Sequence, residues 1–505
     1  MKNKIKILLI IALAGTAGSC KKLSEQQFGQ LSPQTYYKNE TEALSSVAGV
    51  YSAFAGVQGV SAEWTISEEG SDEFIVPGRA SGGWYDQNNV DIYTHNVSST
   101  NQQVTNAWTD LFHVIGLANN VIASLQGSPV ASSLKTEVAE CRALRAWAYL
   151  YALDFWGNVP IVTAARIDQN NLPKTGARAD VFKFVESELL AAANDLPSVN
   201  AVKKSAYYPR LTKEAAYTAL ATLYLNAGVY TGTPRWDDVV TMCNNVINTG
   251  AYSLMPNVSD NFNVANDGKS SEVIFSFTEN PAVNAGTGNV FIIYSQPALD
   301  QLKYNLPFGP ANGFSTLSEA VNRYESKDTR LKMLEFGPQY YLDGVTPLKD
   351  SKGVQLDLVN VQSMTAALDN EGYRVLKYSP IGASFSGWSM NVDFIQARYS
   401  DILLMKAEAE FRSGNAVDAL ALVNQVRTRS NATPLTTLAL QDIEDERARE
   451  FIYEGQRRRD MIRFGDFFTG KWEFKTTTDP ASKGLYPIPS NQIANNPNLK
   501  QNPGY

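Results

Sequence analysis

Histidine is nearly missing from this chain: 505 residues contain only His95 and His113. Metal centres built on several imidazoles, the usual zinc arrangements among them, are thereby excluded, and no metal and no cofactor is expected. His113, set between Phe112 and Val114, is expected in the core. Cysteine is almost as scarce. Cys141 and Cys243 lie inside apolar patterns of helical period, which leaves no disulfide framework to organise the fold. Excess positive charge is absent too: 44 Lys and Arg against 51 Asp and Glu give a net charge of −7. A phosphate-binding surface needs a basic field, so nucleic acid is excluded as a partner. The one strongly basic run, Arg457 to Arg459, is flanked by acids. Beyond the N-terminus no apolar run is long enough to span a membrane.

Nucleotide and nucleophile motifs are missing as well. Asp267-Gly268-Lys269-Ser270 resembles the end of a phosphate loop, but Asn263 stands where that loop needs glycine. Gly286-Thr287-Gly288 lacks its third glycine, with Phe291 in that place, and no G-x-S-x-G elbow occurs. What the chain does have is 44% hydrophobic and 11% aromatic residues, the composition of a folded protein.

Residues 1–19 read as a signal peptide. Lys2, Lys4 and Lys6 precede the apolar stretch Ile7 to Leu13, and small residues run from Ala14 to Ser19. Ala17-Gly18-Ser19-Cys20 resembles a bacterial lipobox, with Ala17 where leucine is usual, so Cys20 is the expected lipidation site.

Four pairs of helical patterns follow. The clearest begins at Thr212, a good N-cap, carries Ala215, Ala216, Ala219, Leu220 and Leu223 at helical spacing, and is expected to stop at Gly228. Its partner carries Trp236, Val239, Val240, Cys243 and Ile247 up to Gly250. A second pair runs from Arg398 across a break at Gly414. A third joins Leu134–Phe155 to Asp180–Leu196, and a weaker one joins Glu40–Phe54 to Val104–Leu125. Such pairs, with small residues at the contacts, predict a mainly α fold of tetratricopeptide-like units. Two long segments without helical period, about 56–103 and 253–393, read as irregular insertions with a few short strands, including Val273 to Phe277 and Val290 to Tyr294.

At this level of detail the chain resembles the SusD/RagB family of outer-membrane nutrient-binding lipoproteins. The resemblance rests on Gly82-Gly83-Trp84-Tyr85-Asp86, on Asp154-Phe155-Trp156-Gly157-Asn158-Val159-Pro160 and on Arg398-Tyr399-Ser400-Asp401-Ile402-Leu403-Leu404. It extends through the charged stretch Asp442 to Arg463 and the tail Leu485-Tyr486-Pro487-Ile488-Pro489, so nearly the whole mature chain is covered. The family implies one SusD-like domain over 20–505, its N-terminal part (about 20–335) and C-terminal part (about 336–505) interleaved. It also implies a TonB-dependent, SusC-like transporter as partner, a glycan as ligand, and lipid anchoring in the outer membrane. Lys21-Lys22-Leu23-Ser24-Glu25 lacks the acidic run that often marks export to the cell exterior. The charged stretch itself is read as structural, with Glu446, Glu450 and Glu454 four apart on one helix face among arginines.

Sugars offer apolar C–H faces and hydroxyl rings, so a glycan platform needs exposed aromatic faces beside polar groups. In the first insertion Trp64, Trp84 and Tyr85 lie near Asp72 and Asn88, and the second supplies Arg374, Tyr378 and Trp388. These eight are the candidate glycan-binding residues, whereas Trp108, Trp147 and Trp236 fall in helical patterns and read as core. No catalytic residue is assigned. Two alternatives stay open: peptide capture on the same scaffold, and glycoside hydrolysis by carboxyls among Glu68, Glu69, Asp72 and Glu73.

Overall fold

A computed structural model describes residues 39–58, 62–279 and 289–505; the signal segment 1–19 and Cys20 lie outside them. The expected helix pairs are present. In order they are α1 (Glu40–Gln58), α2 (Ala62–Glu68), α3 (Gln87–Tyr93), α4 (Gln102–Gln126), α5 (Lys135–Phe155), α6 (Arg178–Asp195), α7 (Lys213–Leu225), α8 (Trp236–Ile247), α9 (Tyr399–Arg412), α10 (Ala416–Arg429), α11 (Leu440–Phe451) and α12 (Arg457–Phe464). From α4 to α10 each of these helices packs on the next, and α1 closes the other side against α4 and α5. Alanine makes this spacing workable: Ala143, Ala146, Ala148 and Ala152 of α5 and Ala215, Ala216 and Ala219 of α7 are wholly buried. Buried nearly all round, α5 ends at Trp156-Gly157, where Gly157 takes φ +65°.

Among the described residues the insertions carry four two-stranded sheets. The longest pairs β1 (Val273–Phe277) antiparallel with β8 (Phe394–Arg398), the two ends of the second insertion. Between them lie β2 (Leu334–Glu335) with β5 (Arg374–Val375), β3 (Gly337–Pro338) with β4 (Asp357–Leu358), and β6 (Phe385–Ser386) with β7 (Ser389–Met390).

Four expectations require correction. Val290 to Tyr294 is no strand: Asn289 accepts from the Phe291 amide and starts the short helix Phe291–Ser295, whose apolar residues are buried on every side. The chain passes Gly228 in a further helical turn and stops at Gly232, φ +80°. His113 is exposed and His95 is the buried one, its ring held by Asp479 (2.7 Å) and the Gly70 carbonyl (3.2 Å). The charged stretch is not one helix with pairs along its face. It breaks after Phe451, where Tyr453 (φ +61°) and Gly455 (φ +71°) turn the chain, and its acids reach outward instead.

Most of their partners are buried arginines from distant segments. Glu450 receives Arg330 (2.8 Å), Arg398 and Arg429. Glu272 receives Arg398 (2.8 Å) and Arg429 (2.9 Å), and Glu446 receives Arg330 (2.8 Å), Arg427 (3.0 Å) and Arg449 (2.8 Å). A second group joins Arg447 to Asp401 and Asp460, and Arg463 to Glu408 and Asp460.

Burial alone would push Glu450 and Glu272 toward the neutral form, but their arginines outweigh it and hold both carboxyls below the usual range. Glu450→Gln leaves three buried guanidiniums short of charge and is expected to cost about 3–5 kcal/mol in denaturant unfolding; a loss below about 1 kcal/mol would deny the network this weight. Glu63 and Asp300 behave oppositely, since burial raises both to about 8. Depressed carboxyls contribute stability above their unfolded values, and it is lost as pH falls through their folded ones. Raised carboxyls contribute below their unfolded values, and that part is lost as pH rises toward about 8. The Tm is therefore expected to peak near pH 5–6 and to fall toward both pH 3 and pH 9. A steady rise from pH 5 to pH 9 would contradict the assignment.

Candidate functional site: an aromatic face on the insertions

Only four aromatic side chains are exposed among the described residues, and all four sit on the insertions: Tyr85, Phe336, Tyr340 and Trp388. The helical array exposes none.

Three consecutive positive φ values shape the first station: Gly82 (+101°), Gly83 (+91°) and Trp84 (+63°). For tryptophan this left-handed backbone is strained and must be held by its surroundings. The reversal lays the Trp84 ring inward on Gly313, where a Cβ would stand 2.6 Å from the ring. Trp84 Nε1 donates to the Ala311 carbonyl (2.6 Å), and the ring meets Tyr294 and Phe314 edge-on. Tyr85 is thereby turned outward, 57% exposed, its hydroxyl bonded to Gln87 and Gln87 in turn to Asp91.

Two buried arginines without carboxylate partners lock the loops beneath it. Arg79 donates to the carbonyls of Asn312 (2.8 Å), Leu368 (3.0 Å) and Glu371 (2.7 Å), and Arg374 donates to Asn312 Oδ1 (2.5 Å) and Ser315 Oγ (3.0 Å). Burial lowers the Arg79 guanidinium to about 10, and burial together with the Arg79 charge lowers Arg374 to about 9. Asn312 Nδ2 donates to the Asp369 carbonyl and Ser81 Oγ to the Asp369 carboxylate (2.7 Å), closing the rim.

Trp388 forms the second station. It is 58% exposed at the Gly387-Trp388 tip between β6 and β7, and Phe385 of that hairpin packs edge-on against Phe308 of the loop leading to Trp84's seat. Phe336 and Tyr340 are the other two exposed rings, with Phe336 edge-on to Tyr373 beside β5.

Of the eight candidate residues, then, Tyr85 and Trp388 stand on this face, Trp84 lies half-buried beneath Tyr85 as its seat, and the side chains of the other five are engaged within the protein. Trp64 is 1% exposed and forms the hub of an aromatic core with Phe74, Phe291, Phe314 and Tyr453. Tyr378 is buried against Phe262, Phe291 and Phe394. Arg374 is fully buried under the platform. Asp72 is clamped by Arg457 (2.7 and 2.8 Å) and Arg323; these two charges outweigh burial and keep its carboxyl below the usual range. Half-buried Asn88 spends its amide between Asp86 and the Gln102 backbone. Sequence reasoning missed Arg79, Gly313 and Asp369. Only Arg79 left a signal, as the one Lys or Arg between residues 56 and 103.

The carboxyls considered for hydrolysis offer no acid–base pair to a solvent-borne sugar. Glu68, Glu69 and Glu73 are buried, and burial, reinforced at Glu68 by its neighbour Glu73, raises all three above the usual range. A cavity of about 500 Å³ lies elsewhere, between α1 and Tyr207–Arg210, but its polar floor is already satisfied, with Tyr51 and Arg210 bonded to Glu140. Among the described residues no cluster of His, Cys, Asp and Glu could hold a metal ion.

Comparison with known proteins gives one consistent result. A model of the SusD family matches residues 244–505, and one described as starch-binding associating with outer membrane matches residues 36–225. The starch-binding protein SusD of Bacteroides thetaiotaomicron is 27% identical, over 84% of this chain and 83% of that one. A SusD superfamily protein of Parabacteroides distasonis superposes with TM-score 0.75 at 20% identity, covering 92% of this chain and 99% of the other. The surface glycan-binding protein A of Bacteroides thetaiotaomicron in complex with laminarihexaose gives 0.74 at 21%, covering 92% and 99%.

Arg79→Met removes the guanidinium bonds that tie the 79–85 turn to residues 312–315 and 368–371, leaving Ser81 on Asp369. Amide exchange at residues 79–85 is expected to rise about 100-fold while α5 stays protected; unchanged exchange in the turn would show that Arg79 does not hold it.

Proposed function

The chain belongs to the SusD family, and from that premise we propose that it is a glycan-binding protein of the outer membrane that captures polysaccharide or oligosaccharide for a TonB-dependent transporter and does not cleave it. The observation that carries this proposal is the confinement of every exposed aromatic ring among the described residues to the insertions, with Tyr85 and Trp388 standing on preorganised turns. Outward rings take the C–H faces of sugars, and Ser81, Gln87 and Asp369 supply hydroxyl partners beside the first of them. Similarity to starch-binding SusD and to a protein complexed with laminarihexaose supports a glycan over a peptide. Anchoring is assigned to Cys20, with the protein facing the cell exterior, and the helical array is assigned to the transporter, as repeat arrays commonly present one face to a partner.

A titration panel of soluble starch, laminarin and other neutral polysaccharides, assayed in parallel for reducing ends, tests the proposal. Binding without release is expected, and Tyr85→Ala or Trp388→Ala should weaken it about three- to tenfold, with Tm unchanged, given the roughly 0.5–1.5 kcal/mol of a stacked ring. Gly313→Ala, which drives a methyl into the Trp84 ring, should weaken binding with Tyr85 intact. Release of sugar ends would overturn the non-enzymatic assignment, and silence across the panel would favour peptide capture.

A further inference from the structure

The charge of the platform selects among glycans. Three loops build the first station, residues 78–91, 306–314 and 365–374, and they contain two cations, Arg79 and Arg374. Both are buried, and their donors are turned into carbonyls and side-chain oxygens of the loops themselves. Neither reaches a ligand lying on Tyr85. The same loops carry Asp86, Asp91 and Asp369 with access to solvent, while Glu371 is buried. Asp369 sits against Ser81, and Asp91 is joined to the Tyr85 hydroxyl through Gln87. Every charge that these three loops present to solvent beside Tyr85 is therefore negative.

We infer that this site takes uncharged glycans and discriminates against those bearing carboxylate or sulfate groups. The inference rests on the glycan-binding function proposed above. Carboxylates serve neutral sugars well, because each oxygen accepts from a hydroxyl. An anionic substituent gains nothing there: it finds no outward guanidinium or ammonium, and it lies within reach of unscreened repulsion from the rim.

A matched pair of polymers tests this: the neutral polysaccharide that binds best in the panel, and its carboxymethylated derivative. At low ionic strength the derivative is expected to bind at least about tenfold more weakly. The gap should narrow in about 0.5 M NaCl, where screening cuts off within about 4 Å. It should also narrow in the double variant Asp91→Asn, Asp369→Asn, which keeps the oxygens that accept from Gln87 and Ser81. Equal or tighter binding of the derivative overturns the inference. So does a gap that neither salt nor the double variant moves, since steric exclusion behaves that way. If no neutral polymer binds at all, glycan capture itself falls, and this inference with it.

Discussion

The carboxylate of Glu450, buried between Arg330, Arg398 and Arg429, is the contact on which the rest of this protein depends. Four charges taken out of water are tolerable only when each has its partners in place, and these partners come from the segment before β2, the end of β8, the end of α10 and the end of α11. No subset of those elements satisfies the group. Glu272 and Arg398 stand at the two ends of the second insertion, bonded to one another and flanking the β1–β8 pair. An insertion of more than a hundred residues is thus closed at its neck by an ion pair and a strand ladder, and its length then costs little, because loop-closure entropy grows only logarithmically. The helical array can carry a large irregular surface without being loosened by it.

Inside the insertions the device changes. Arg79 and Arg374 have no carboxylate partner and spend their donors on backbone carbonyls and on Asn312 and Ser315. A guanidinium used in this way fixes loop conformation, since its planar fork reads several carbonyls at once. Above the arginines an aromatic spine runs from Trp64 through Phe314 to Trp84, so the outermost ring rests on the core. The strained backbone of Trp84 is sustained by that packing and by the glycine it covers.

How much of this was legible in the sequence follows from the range of the interactions. The helix pairs were, because their signals lie within a dozen residues: the apolar period, Gly157 and Gly414 as stops, alanine at the contacts. Burial within the insertions was not. Trp64 and Tyr85 look alike in sequence, and their separation depends on Phe291, Phe314 and Tyr453 arriving from far along the chain. Arg374 and Tyr378, polar-edged residues in a loop-rich stretch, look exposed until Arg79 and Phe262 are brought against them. The ion-paired character of the charged stretch was legible, but its partners and its break were not, since 116 residues separate Arg330 from Glu446.

Rigidity in the turns and charge of one sign on the rim bear on the same problem. The proposed function asks for binding without enclosure, and the insertions carry separate outward rings, Tyr85 on one turn and Trp388 on another hairpin tip. Each ring alone contributes modestly. A chain long enough to lie across both gains from the second contact as an intramolecular event, since the first holds it at high effective concentration. Release then proceeds ring by ring and never requires all contacts to break at once. Holding the turns stiff, through Arg79, Arg374 and the Trp84 seat, keeps the ordering cost out of each contact.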